Sequence, residues 1–146
     1  MVARAGILIT VAVPFGWLGM VLAISCLEAP LKFRAPGVTL PLGLGVGRLV
    51  FRALNVAETA LVVLLAVAGV AVGMLGAGWG LLAVLAAVLA VQVLLLRPRL
   101  DRRAGQIMAG QAPPPARLHL AYSALEGAKA LALPGLGVAL TSSVLP

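Results

Sequence analysis

Thirty-eight consecutive residues, Thr59 to Leu96, carry no charge. A second uncharged run of 23 residues spans Ala5 to Leu27. A helix needs about 20 apolar residues to cross the hydrocarbon layer of a bilayer. The shorter run is one span, and the longer is too long for one and suits two. Composition agrees: 62% of the chain is hydrophobic and 10% is charged. Soluble domains of ordinary composition carry about 25% charged residues. This chain lacks the polar surface to coat a soluble core. Strand alternation is absent, which argues against a β-barrel. One cysteine excludes an internal disulfide and a paired-cysteine metal site.

The expected fold is all-α: an integral membrane four-helix bundle, antiparallel, with N- and C-termini outside, forming a single transmembrane domain over residues 1–146. The helices are expected at about 5–27, 49–75, 79–96 and 118–140. The glycines of "GAGWG" (76–80) read as the tight turn between the second and third. "GLGVG" (43–47) lacks the strand context of a phosphate loop and reads as a flexible entry to the second. Pro134-Gly135 is expected to bend or weaken the fourth.

Charge sets the orientation. With four crossings, the loops 28–48 and 97–117 fall on one side with the start of helix 2. That side holds Lys32, Arg34, Arg48, Arg52, Arg97, Arg99, Arg102, Arg103 and Arg117, against Arg4 alone on the other. Cytoplasmic loops carry the excess of Lys and Arg, so both loops are expected in the cytoplasm, the membrane being the plasma (inner) membrane. The net charge of +7 then follows from a basic rim attracted to anionic lipid headgroups, and no nucleic acid is invoked. "LAISCLE" (22–28) is faintly like a lipoprotein processing site. Cleavage before Cys26 would leave Lys32 and Arg34 outside, against the charge rule, so Cys26 is expected to be a buried small residue.

Polar residues inside the spans are the candidates for function. Arg48, Asn55 and Glu58 stand at offsets 0, 7 and 10 on helix 2. His119, Tyr122, Glu126 and Lys129 stand at offsets 0, 3, 7 and 10 on helix 4. At about 100° per residue each set covers one narrow face. Hydrocarbon penalises such faces, so both are expected to turn inward toward each other. Glu28 is placed to close the same space, and Gln92 is a weaker candidate. Two readings follow. In one, Glu58–Lys129 or Glu126–Lys129 is a buried ion pair that merely joins helices. In the other, the residues line a polar cavity open to the cytoplasm that binds a small polar solute or ion. The ligand set of that second reading is Glu28, Arg48, Asn55, Glu58, His119, Tyr122, Glu126 and Lys129. No metal is expected: His119 with Glu28, Glu58 and Glu126 lacks a Glu-x-x-His pair. No nucleophile constellation or dinucleotide fingerprint is present, so catalysis is not the expectation and no cofactor is implied by these residues.

The plan of the chain resembles the four-span family typified by transmembrane protein 205. The stretches that carry the likeness are "GWLGMVLAISCLEAPLKF" (16–33), "LLRPRLDRR" closing helix 3 and "HLAYSALE" opening helix 4. That resemblance implies architecture and no reaction. "RALNVAE" (52–58) resembles the helix-2 signature of the membrane-associated eicosanoid and glutathione enzymes, with one residue fewer between Ala53 and Asn55. It implies glutathione held by Asn55 and Glu58, with Arg48 suited to a carboxylate. A third possibility is a structural or accessory subunit, a homo-oligomer or part of a larger membrane complex.

Overall fold

The computed structural model describes residues 2–114 and 117–144. All regular structure in them is helical. Helix α1 runs Val2–Leu22, continues through a π-helical stretch at Ala23–Glu28 and an α-helical Ala29–Leu31, and ends in a 3₁₀ turn at Lys32–Arg34. Helix α2 is Leu40–Val72. Helix α3 begins as Gly76–Val91, widens to a π-helical stretch at Gln92–Leu96 and continues as Arg97–Met108. Helix α4 is Leu118–Val144.

Three boundaries differ from expectation, each for a local reason. Helix α2 starts at Leu40, well before residue 49. Thr39 caps it, accepting from the Leu42 amide at 3.5 Å, and Pro41 occupies its first turn. The "GLGVG" glycines are therefore helical. Their purpose is close approach: a Cβ on Gly43 would lie 2.2 Å from the Phe33 ring, and one on Gly47 would lie 2.9 Å from Lys32 Nζ. The α2–α3 turn falls at residues 73–75 and not at "GAGWG". Gly73 takes φ 67°, its amide reaches Val70 O at 3.3 Å, and the Met74 amide reaches Gly69 O at 2.8 Å. This is a Schellman cap, which favours glycine at the left-handed position. Gly76 and Gly78 then open α3, and Gly78 is buried beside Met74 and Leu140.

The third difference is the largest. Helix α3 runs on to Met108 through Arg97-Pro98, where a loop was expected. Pro98 has no N–H to give the preceding turn, and its ring needs room there. The π-helical stretch Gln92–Leu96 immediately before it supplies a wider turn. Helix α1 uses the same device, with the π-helical Ala23–Glu28 just ahead of Pro30. Pro134 lies inside a continuous α4.

Contacts fix the arrangement. Helix α1 packs against α2 and α4, and α3 packs against the same two. Gly6 faces Val72, and Phe33 faces Gly43, so α1 and α2 run antiparallel. Phe15 meets Gly137 while Ser25 meets Glu126, so α1 and α4 do too. Gly78 beside Leu140 and Gln92 beside Glu126 give the same sense for α3 and α4. Helices α2 and α4 lie across the interior from each other and are bridged by side chains. An apolar core of Trp17, Val21, Leu65, Leu82, Leu85 and Leu133 fills the half towards the α2–α3 turn, with Met74, Leu136 and Leu140.

Along the middle of the helices the outside is apolar and the charged residues Glu58, Glu126 and Lys129 are within. Leu131 is 83% exposed, whereas Lys129, two residues earlier, is 0% exposed. Val56, Val63, Val67 and Val70 line the outer face of α2. In water such a surface would drive aggregation; in hydrocarbon it is the solvated face. Segments Arg4–Arg34, Leu40–Val72 and Gly76–Met108 are long and apolar enough to cross a membrane, with mean hydropathies of 2.3, 2.1 and 2.5. They mark the chain as an integral membrane protein. Helix α4 is less apolar, since it carries Glu126 and Lys129.

Candidate functional site

The inward polar residues divide into two levels. The deeper level is a packed seam. Lys129 Nζ lies 2.5 Å from Glu58 Oε1 and 2.9 Å from Glu126 Oε1, with all three side chains buried. The two alternative ion pairs of the sequence are thus one triad. Trp17 Nε1 donates to Glu58 Oε1 at 2.9 Å. Gln92 Nε2 donates to Glu126 Oε1 at 2.8 Å, and Ser25 Oγ donates to Glu126 Oε2 at 3.2 Å. Ser25 and Gln92 both come from π-helical stretches, Ala23–Glu28 and Gln92–Leu96. The widened turns that accommodate the prolines also aim these two donors at one carboxylate. Nearer the basic end, Tyr122 OH donates to Asn55 Oδ1 at 2.9 Å, and the Tyr122 ring meets Phe51 edge-on, centroids 5.4 Å apart.

Every helix contributes to this seam. Removing two carboxylates and an ammonium from water costs several kcal/mol per ion, recovered only where partners are well placed. Here each charged group has at least two. The exceptions among the buried atoms are Glu58 Oε2 and Gln92 Oε1, which accept no hydrogen bond.

The second level is a cavity of about 460 Å³ at the basic end of the helices. Its floor includes Ser25 and Tyr122, so it rests directly on the seam. Its walls carry Lys32, Arg48 and Arg97, with His119 at the exposed mouth. Asp101 is the one carboxylate among the described lining residues. Phe33 and Phe51 flank Lys32, whose ammonium stands 5.6 and 5.5 Å from their ring centroids. Glu28, one turn back, pairs with Lys32 at 3.2 Å. Asp101 Oδ1 stands 3.5 Å from Arg48 Nε and 3.4 Å from an Arg97 terminal nitrogen, close enough for ion pairing yet without a hydrogen bond to that oxygen. Arg97 also donates to the Arg48 carbonyl, tying α3 to α2. Its Nε is buried and has no acceptor.

The eight residues singled out in the sequence therefore do not share one pocket. Arg48, His119 and Tyr122 line the cavity. Asn55, Glu58, Glu126 and Lys129 lie in the seam beneath it, and Glu28 sits behind Lys32. Cys26, expected to be buried, is exposed on the outer, apolar side. Sequence reasoning missed Lys32, Arg97 and Asp101 as cavity groups, and Trp17 and Ser25 as seam partners. Arg97 and Asp101 are four apart and share a helical face, a legible signal once the helix is known to continue past Pro98.

No protein family, curated protein or solved structure matches the chain. Neither resemblance drawn from the sequence gains support. Of the residues that carried the glutathione likeness, Arg48 lines the cavity, whereas Asn55 lies outside it and Glu58 is buried against Trp17 and Lys129.

Proposed function

We propose that this membrane protein binds a small anionic solute in the basic-end cavity, in transport or in binding, with four crossings and both termini outside. The observation that carries this is the charge of the cavity wall, where Lys32, Arg48 and Arg97 stand against one lining carboxylate, Asp101. A carboxylate or phosphate in the cavity offsets that excess, and guanidinium groups suit such anions because their donors form a planar fork. The volume falls in the range of small-molecule sites, roughly 300–1,000 Å³. The basic rim faces the cytoplasm under the charge rule, so the solute enters from that side.

Purified protein in micelles, challenged with phosphate, sulfate, dicarboxylates and glutathione at matched ionic strength, tests the binding. At least one anion is expected to raise the unfolding temperature above the chloride control, since a ligand at about 100 times its Kd adds about 2.7 kcal/mol. No response to any of them would favour an accessory subunit. Orientation has its own test. In a Cys26→Ala background, cysteine placed at Ser142 is expected to react with an impermeant thiol reagent outside intact cells, and cysteine at Ala109 to be protected. The opposite pattern would reverse the orientation.

A further inference from the structure

The triad holds two carboxylates and one ammonium, so with all three groups ionised it carries a net charge of −1 in a fully buried setting. Among the described residues no further cation pairs with it. The groups facing it are Trp17 and Ser25 from α1, Asn55 from α2, Gln92 from α3 and Tyr122 from α4, all neutral. The nearest cations above, Lys32, Arg48 and Arg97, pair with Glu28 and Asp101 and leave one positive charge over at the cavity wall, but none of them makes an ion pair with the triad. An uncompensated buried charge is among the costliest features a protein can hold.

The second observation is the pair of orphaned acceptors. Glu126 receives donors on both oxygens, Gln92 on Oε1 and Ser25 on Oε2, and the Lys129 ammonium pairs with Oε1. Glu58 receives Trp17 and Lys129 on Oε1 and nothing on Oε2. Gln92 Oε1 is a second buried acceptor without a donor. The charge count lacks one proton, and Glu58 Oε2 is the triad oxygen free to take it.

We propose that the triad is a proton-binding site that takes one exchangeable proton on Glu58 Oε2, with Lys129 and Glu126 remaining as the ion pair. Glu58 passes from carboxylate to carboxylic acid as it takes a proton from water, and returns it on release. The seam then becomes neutral, and the orphaned oxygen becomes a donor. Exchange with bulk water runs through the cavity, because Ser25 both lines it and donates to Glu126. The chain Ser25–Glu126–Lys129–Glu58 is continuous in hydrogen bonds and ion pairs and reaches Glu58 at Oε1, the other oxygen of the carboxyl that takes the proton. This site does not depend on what the cavity binds.

Infrared spectroscopy of the full chain in lipid nanodiscs tests it, because the protein has only four acidic side chains. At neutral pH the wild type is expected to show the carbonyl band of one protonated carboxyl. Glu58→Gln removes it. Glu126→Gln also removes it, because Glu58 and Lys129 then balance; this second variant keeps the test intact if the first folds poorly. Trp17→Phe shifts the band upward by taking a donor from the Glu58 carbonyl oxygen, and Ser25→Ala leaves it in place. No protonated carboxyl in the wild type would overturn the proposal, as would a band that survives both glutamine variants. A shift with Ser25→Ala and none with Trp17→Phe would move the proton to Glu126 and overturn its placement.

Discussion

Replacing Lys129 by methionine is expected to cost about 3–5 kcal/mol of folding stability at neutral pH, the range for breaking a buried pair and stranding its partner. Two partners are stranded here, since Glu58 and Glu126 both contact the ammonium. The companion change is asymmetric. Glu58→Gln leaves Glu126 and Lys129 balanced and keeps an oxygen for Trp17 Nε1, so it is expected to cost no more than about 1.5 kcal/mol, the scale of one hydrogen bond. The double change of Glu58 and Lys129 to leucine recovers only part of the loss, because Glu126 stays buried without its cation. Acidification is expected to narrow the Lys129→Met deficit, as protons supply the positive charge that the ammonium gave. Denaturant unfolding in micelles at neutral and mildly acidic pH measures all of these. Equal losses for Lys129→Met and Glu58→Gln would show that the two carboxylates do not share one cation.

The helical class and the membrane-spanning segments are plain in the uncharged runs, because hydrocarbon leaves so few alternatives to helix. The stripe offsets on α2 and α4 predict which faces turn inward, and those faces do meet through Tyr122–Asn55 and Lys129–Glu58. Depth was not legible. Whether a polar stripe opens as a cavity or closes as a seam depends on what α1 and α3 insert between the other two helices. Trp17 closes over Glu58, and Gln92 over Glu126. Trp17 reads as an ordinary member of an apolar run, and Gln92 only as a weaker polar candidate. Helix ends were misjudged where proline and glycine carried their usual meaning as breakers. Pro98 is accommodated by a wide turn just before it, and Gly43 and Gly47 are there for Phe33 and Lys32 to pack upon. The consequence reaches the site: with α3 ended at Leu96, Asp101 belongs to a loop and its contact with Arg48 and Arg97 is invisible.

Anion binding and its sign follow from those three residues. Arg97→Met removes a guanidinium from the cavity wall. Hydrogen bonds to charged groups contribute about 1.5–3 kcal/mol, so the affinity for a cavity anion is expected to fall roughly 10- to 100-fold. Asp101→Asn acts in the opposite direction. It takes away the one carboxylate among the described lining residues and releases Arg48 and Arg97 to the ligand. Affinity is expected to rise about tenfold, on the order of 1.4 kcal/mol. Both effects shrink at high salt, because the cavity mouth is open to solvent. Isothermal titration of the anion that most raises the unfolding temperature, run on the wild type and both variants, decides the matter. The predicted order is Asp101→Asn tightest, wild type next and Arg97→Met weakest. Affinities that ignore both substitutions, or no anion bound by the wild type at all, would contradict a basic cavity built to hold one.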